Sequence, residues 1–156
     1  MIDWQWRRFE DLDIHQLYEI LRVRQEVFAV EQDCAYQDAD GKDSCAWHLC
    51  GWSGRAPHPQ LQAYLRVVDP GQKFDEPSIG RVLTAASARG TGLGRELMRR
   101  VLNELRSPFP DSAIRISAQQ HLQKFYGEFG FIQCSEVYDE DGIPHIEMLR
   151  PPQSIG

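Results

Sequence analysis

The stretch ARGTGLGREL, residues 88–97, carries three glycines within five positions, directly before a run of helix-forming residues. A strand-like segment at 79–85 precedes it, and Leu97, Val101 and Leu105 follow at helical spacing. Because glycine weakens a helix interior by about 1 kcal/mol, these glycines indicate a loop that leads into a helix N-terminus. Such a terminus presents unpaired N–H groups, and glycine lets a ligand approach them closely. The stretch therefore predicts a phosphate- or pyrophosphate-binding loop.

The spacing of these glycines narrows the choice of ligand. A dinucleotide-binding loop has G-x-G-x-x-G and an acidic residue about 20 positions further on, whereas this chain has G-x-G-x-G. The next predicted strand, residues 114–118, also ends without an acid. A P-loop is excluded because Gly-Lys-Ser/Thr is missing. The pyrophosphate of coenzyme A and a glycine-rich turn that binds nothing both remain open.

Composition sets broad limits on the class of protein. The 156 residues carry a net charge of −6 with a pI near 5.3, which disfavours a nucleic-acid partner. The sequence contains no apolar run of about 18 residues and no signal-peptide pattern at its start, so we expect a cytoplasmic protein without a membrane partner. Its four cysteines show no C-x-x-C spacing, so neither a metal site nor a redox pair is expected.

Periodicity and turn signals predict a mixed α/β chain in the order β-α-β-β-β-α-β-α-β-β. Asp13 and Gln16 have the spacing of a capping box at the first helix. One domain is expected over 1–150, followed by a frayed tail at 151–156. The predicted strands cover residues 2–9, 46–52, 61–69, 79–85, 114–118, 131–138 and 144–149, and the predicted helices cover about 14–30, the glycine stretch to 106, and 119–129.

Charge is distributed unevenly along the chain. Residues 81–106 hold six arginines against two glutamates, a local charge of +4, and residues 31–43 hold five acids against one lysine, a local charge of −4. The first segment suits an anion and the second a cation. Solvated charged faces are the ordinary alternative for both segments.

Two motifs point to a known family. RGTGLG at 89–94, after the strand IGRVLTA, and KFYGEFGF at 124–131 together resemble the GNAT superfamily of N-acetyltransferases. Within it, VRQEVFAVEQDCAYQDADG, SAQQHLQKFYGEFGF and EVYDEDGIPHIEM resemble the ElaA group. The resemblance implies the GNAT acyl-CoA N-acyltransferase fold, a central mixed β-sheet flanked by helices. Two parallel strands of that sheet splay apart to admit the cofactor.

The resemblance also implies a set of cofactor contacts. Val82, Leu83 and Thr84 would meet the pantetheine and acyl group, with one of their N–H groups polarising the thioester carbonyl. Gln119 would reach the pantetheine amides. The pyrophosphate would be held by the loop residues Arg89, Gly90, Thr91, Gly92, Leu93, Gly94 and Arg95.

Tyr126, four residues before Gly-Phe, corresponds to the family tyrosine that protonates or hydrogen-bonds the departing thiolate. A packed core tyrosine is the alternative. The fourth strand lacks the glutamate that many family members use as a base, so His48 and His145 are the candidate bases. Glu31 and Asp40 are candidate ligands for a cationic acceptor.

The resemblance therefore implies an acetyl-CoA-dependent N-acetyltransferase that moves the acetyl group directly to a primary amine of a small molecule or peptide. A non-catalytic acyl-CoA-binding or sensing module of the same fold is the alternative, because the strand carboxylate is missing. A homodimer is compatible with the resemblance.

Overall fold

The chain alternates strands and helices in nearly the predicted order, and the computed structural model describes residues 1–55 and 57–153. The predicted tail has no helix or strand through residue 153, and residues 154–156 lie outside the described part. The strands are β1 Asp3–Arg8, β2 Ala46–Ser53, β3 Gln60–Val68, β4 Ser78–Thr84, β5 Ile114–Gln119, β6 Ile132–Gln133, β7 Tyr138–Glu140 and β8 Ile143–Arg150; the helices are α1 Ile14–Gln25, α2 Leu93–Glu104 and α3 Gln123–Gly127.

The first helix begins at the predicted capping box. The Asp13 carboxylate accepts the Gln16 N–H at 2.8 Å, and the Gln16 side chain accepts the Asp13 N–H at 3.2 Å. The helix does not continue regularly to residue 30 as predicted, because α1 ends at Gln25 and a wider π-helical turn covers Glu26–Glu31. π turns inside helices are frequent at functional sites.

The strands form two antiparallel sheets that lie side by side. One has the order β1-β2-β3-β4, and the other has the order β5-β8-β6, with β7 also paired to β8. The Arg115 N–H donates to the Pro77 carbonyl at 3.1 Å, which joins the beginnings of β5 and β4. Within residues 1–55 and 57–153, no ladder continues between these two parallel strands. The predicted splayed fold is therefore confirmed.

One apolar core holds both sheets together. Leu97, Met98 and Val101 of α2 pack on one face, against residues of both sheets such as Leu65 and Ile146. A second cluster seats α1 on the opposite face of the first sheet. Because α2 spans the two sheets, burial of its apolar face keeps them adjacent even where their strands separate.

The C-terminal third differs from the prediction in two places. The expected helix at 119–129 is reduced to a 3₁₀ turn at Gln120–Leu122 and α3, and it closes through Gly130 at φ +90°. The expected strand at 131–138 divides into β6 and β7. Between them the Ser135 hydroxyl accepts the Glu147 N–H at 2.8 Å, so a side chain takes the place of a ladder carbonyl.

Candidate active site

The gap between β4 and β5 opens into a cleft of about 300 Å³. Ile79–Val82 of β4 and Ile116–Gln119 of β5 form two of its walls. The remaining lining includes Phe28 and Gln32 from the π-helical turn, Cys34, Tyr36, Asp40, Lys73, Leu122 and Tyr126, and Glu140, Asp141, Ile143 and His145 from the β7–β8 hairpin. Of the predicted catalytic residues, the cleft therefore brings Tyr126 and His145 together.

A β-bulge in β4 explains why the two strands diverge. Arg81 and Val82 together lie opposite the single residue Leu65 of β3, and Arg81 has the left-handed φ of +53°. A bulge bends its strand, and a non-glycine residue in this conformation costs about 1–3 kcal/mol. The Arg81 guanidinium donates to the Asp38 carboxylate at 2.9 Å, and this contact stabilises the strained residue.

The acidic segment 31–43 folds onto buried arginines. Arg66, only 2% exposed, contacts the Asp40 carboxylate at 2.8 and 2.6 Å and Asp43 at 2.9 Å. Arg24 is fully buried and contacts Asp43 at 2.7 Å. Although burial alone would raise it, the pKa of Asp40 is lowered by its hydrogen bonds to Arg66. The charge of Asp40 is thus paired with Arg66 although Asp40 itself remains exposed in the cleft, and its role as an acceptor ligand stays a prediction.

Tyr126 faces the cleft from α3. Its ring packs edge-on against Phe125 and Phe131, with centroids 5.2 and 6.0 Å away. The residue is 7% exposed, and its hydroxyl makes no hydrogen bond with any described residue. Burial raises the pKa of Tyr126 to about 12, so the hydroxyl stays protonated and can donate to a group in the cleft.

His145, on β8, also lines the cleft. Its Nδ1 faces the Ile143 carbonyl at 2.7 Å, and its Nε2 faces the Glu140 carboxylate at 3.1 Å. Tyr138 stacks beside the ring and contacts the Ser117 hydroxyl across the strands. These groups form a polar wall whose outermost member is the half-exposed Glu140.

His48 takes no part in this cleft. It is 1% exposed, with Nδ1 at 2.7 Å from the Tyr64 hydroxyl and Nε2 at 2.9 Å from the Asp43 carbonyl. Burial lowers the pKa of His48, and one donor with one acceptor suits the neutral ring. The structure therefore places His48 away from Tyr126, as a hydrogen-bonded core residue, and gives its predicted catalytic role no geometric support.

The glycine loop ends at the N-terminus of α2 as predicted. Gly90 and Gly92 both have φ +81°, and a Cβ at either would meet nothing within 4 Å. The first N–H groups of the helix have no intrahelical partner. Among the described residues the loop therefore leaves open space at Gly90 and Gly92, beside the N-terminus of α2, although it does not line the 300 Å³ cleft itself.

The two arginines of the loop are held by exposed carboxylates. Arg89 contacts Glu31 at 2.7 Å, and Arg95 contacts Glu128 at 3.1 Å. Exposed ion pairs of this kind contribute little to the free energy of unfolding, so an incoming anion can replace either carboxylate. The pairing with Arg89 also occupies Glu31, whose role as an acceptor ligand stays a prediction.

The predicted pantetheine contacts lie on both sides of the gap. Val82 and Gln119 line the cleft, whereas the Leu83 side chain is buried in the α1-side core. The Ala85 N–H donates to β3 at 2.8 Å, so by strand alternation the peptide N–H of Thr84 points away from β3. The Thr84 carbonyl accepts from Arg89 at 3.3 Å on that same side. Polar backbone groups of β4 thus face the gap.

Sequence reasoning overlooked several residues of the cleft. Glu140, Ser117 and Lys73 were not singled out, nor was the full burial of Arg24, which pairs with the acidic segment, predicted. Strand alternation carried a usable signal for Ser117, because it shares a face of β5 with Gln119. Nothing local indicated Arg24, since its partners lie in a different segment.

The splayed sheets and the glycine loop at α2 together define the class of protein. The family of acetyltransferase (GNAT) domains matches residues 67–150. The chain belongs to the GNAT superfamily of acyltransferases, which use acyl-CoA. Among the described residues, no helix is both long and apolar enough to span a membrane.

Similar proteins place it more narrowly, in the ElaA group. Protein ElaA of Escherichia coli is 42% identical over 152 residues, covering 96% of this chain and 97% of that protein. UPF0039 protein sll0451 of Synechocystis is 45% identical over 148 residues, covering 95% and 94%. The crystal structure of an acyl-CoA N-acyltransferase from Pseudomonas aeruginosa has a TM-score of 0.89 at 45% identity and covers 96% of this chain and 99% of that one.

Proposed function

We propose that this chain transfers an acetyl group from acetyl-CoA directly to a primary amine of a small molecule or peptide. The observation that carries the proposal is the cleft between β4 and β5, which is lined by Tyr126, whose hydroxyl has no hydrogen-bond partner among the described residues. Its volume of about 300 Å³ is at the lower end for ligand sites, which favours a small acyl group. The free thiols of the described cysteines suit the proposed cytoplasmic location.

The residues present fit the family's cofactor. The open space at Gly90 and Gly92 would admit the pyrophosphate to the N–H groups of α2, with Arg89 and Arg95 adding charge. The Thr84 N–H, which points away from β3, would bind the pantetheine arm of the cofactor. Acyl-CoA supplies the activated acyl group as a thioester.

The proton chemistry is assigned to two groups that line the cleft. Tyr126 donates a hydrogen bond to the sulfur of the leaving thiol, because its raised pKa keeps the hydroxyl protonated. The Glu140–His145 pair, which also lines the cleft, takes the proton that the acceptor ammonium loses. The pair would thus perform the task of the missing strand glutamate, with Tyr138 holding the His145 ring.

Turnover tests this function against a non-catalytic acyl-CoA-binding module. Purified protein is mixed with acetyl-CoA and a panel of primary amines and peptides, and free thiol is measured. We expect thiol release that requires the amine and is faster with acetyl-CoA than with long-chain acyl-CoA. Thermal stabilisation by acetyl-CoA without thiol release for any amine would instead establish the binding module.

The glycine loop gives a second prediction. Gly92→Asp places a negative charge at the proposed pyrophosphate site, and we expect acetyl-CoA affinity measured by calorimetry to fall at least about tenfold. Gly92→Asn is the matched control, because it has the same shape and tolerates the same left-handed backbone without the charge.

Stability does not confound this comparison, since a negative charge at a helix N-terminus is favourable to the helix itself. Equal affinities for the Asp and Asn variants, in proteins with normal melting curves, would show that the phosphates bind elsewhere.

A further inference from the structure

Lys73 is an ionisable group in the cleft that the proposed chemistry does not use. It lies in the loop between β3 and β4 and lines the same cleft as Val82 and Tyr126. Its Nζ lies 5.5 Å from the centre of the Phe74 ring. It forms no ion pair or hydrogen bond with any of residues 1–55 or 57–153.

Three other charged groups of the cleft contrast with Lys73 in this respect. Arg81 is held by Asp38, Asp40 by Arg66, and Glu140 by His145. A primary amine without a carboxylate or hydrogen-bond partner, in a cleft that we assign to the acylation of primary amines, is placed as a substrate would be.

The surroundings of Lys73 also favour its reactive form. Desolvation in the cleft lowers the pKa of its ammonium, and the charges of Arg81 and Arg66 act in the same direction. The carboxylates of Glu140 and Asp40 oppose this effect without cancelling it. The side chain nevertheless remains exposed to solvent within the cleft. An accessible amine that loses its proton readily is a good nucleophile.

We propose that Lys73 is a self-acylation site, at which the enzyme transfers the acyl group of its bound acyl-CoA to its own side chain when no acceptor is present. This inference rests on the proposed function. A bond forms between Nζ and the thioester carbonyl carbon, and the C–S bond breaks. The ammonium gives up two protons: one ends on the sulfur of the free thiol, and the other leaves through the Glu140–His145 pair to solvent.

Acylation removes the charge of Lys73 and leaves an amide in the cleft in place of the amine. The modified chain is therefore expected to turn over added amines more slowly than the unmodified chain. Acylation of Lys73 would then lower the turnover rate when acyl-CoA is abundant and the acceptor is scarce.

The experiment uses the full chain and mass spectrometry. Protein is incubated with acetyl-CoA without an amine, and acyl groups are counted on the intact chain and located by peptide mapping. The chain has three lysines, so Lys42 and Lys124 serve as internal controls for chemical acylation. We expect one acetyl group, on Lys73, at a first-order rate that does not change with protein concentration. Lys73→Arg should remove it.

Tyr126→Phe separates enzymatic from chemical labelling. If the cleft performs the reaction, this variant should slow Lys73 labelling by about 10²–10³-fold, as it slows turnover of free amines. Labelling that is unaffected by the variant, or equal on all three lysines, would overturn the proposal. An unlabelled Lys73 in a protein that acetylates free amines would overturn the proposal and leave the proposed function intact. Absence of both reactions would overturn both.

Discussion

Replacing Tyr126 with phenylalanine is expected to lower kcat by about 10²–10³-fold, the usual cost of removing one preorganised donor. The affinity for acetyl-CoA and the KM for it should hardly change, because the hydroxyl acts mainly on the departing sulfur. Steady-state rates with any accepted amine measure the first effect, and calorimetry measures the second. Stability should also be conserved, since the edge-on contacts with Phe125 and Phe131 involve the ring.

The raised pKa specifies how Tyr126 acts. With a pKa near 12, it is a weaker acid than a thiol at about 8.5, so complete proton transfer to the thiolate is uphill. We therefore assign the hydroxyl as a hydrogen-bond donor to the developing charge. A rate–pH profile that retains its shape in Tyr126→Phe, at a lower level throughout, is the expected signature.

Tyr64→Phe is the matched control for this prediction. Tyr64 is fully buried, and its hydroxyl contacts His48 at 2.7 Å outside the cleft. Its loss should cost about 1–3 kcal/mol of unfolding free energy and leave kcat unchanged. A normal kcat in Tyr126→Phe would make Tyr126 a core residue only. A large fall of kcat in Tyr64→Phe would return His48 to the catalytic site.

Arg24→Met is expected to lower the free energy of unfolding by about 3–5 kcal/mol, because it removes one of the two arginine partners from each of the buried carboxylates Asp38 and Asp43. Arg24 is fully buried and contacts Asp43 at 2.7 Å and Asp38 at 2.9 Å. The pKa of Arg24 is raised although burial alone would lower it, since Tyr64 and the two carboxylates favour the charged form. Urea unfolding followed by tryptophan fluorescence measures the loss.

Arg22→Met is the control, because Arg22 lies two residues before Arg24 on the same helix. Arg22 is about half exposed and contacts Glu19 and Glu26, so its replacement should change the unfolding free energy by less than about 0.5 kcal/mol. Similar losses for the two variants would show that the buried network makes no special contribution. A larger loss of unfolding free energy for Arg24→Met establishes that the buried Arg24 holds the acidic segment in place.

Much of the fold and part of the site could be predicted from the sequence, where neighbouring residues decide the structure. The capping box of Asp13 and Gln16 involves residues three positions apart. Gly90 and Gly92 adopt a left-handed backbone conformation that other residues rarely take, so the loop before α2 could also be predicted from the sequence. Tyr126 was identified from the short motif around it, and its position on the cleft follows from that of α3.

By contrast, the tertiary structure decided which groups neutralise the carboxylates of the acidic segment 31–43. Its local charge of −4 predicted a cation site, yet Asp40 meets Arg66 over 26 positions and Asp38 meets Arg81 over 43. A carboxylate in sequence carries no sign of whether solvent, ligand or arginine will neutralise it. Here the arginines Arg24 and Arg66 are buried, and they must be paired because an unpaired charge inside the protein is too costly.

The sequence by itself determined the order of the elements, the glycine loop at a helix N-terminus and the tyrosine of α3, since each depends on residues close along the chain. Only the tertiary structure separated the two candidate histidines, which look alike in sequence. His48 is enclosed by Tyr64 and Asp43, whereas His145 reaches the cleft beside Glu140. The bulge that opens the cleft at Arg81 likewise depends on a distant carboxylate, because a strained backbone persists only where other contacts hold it.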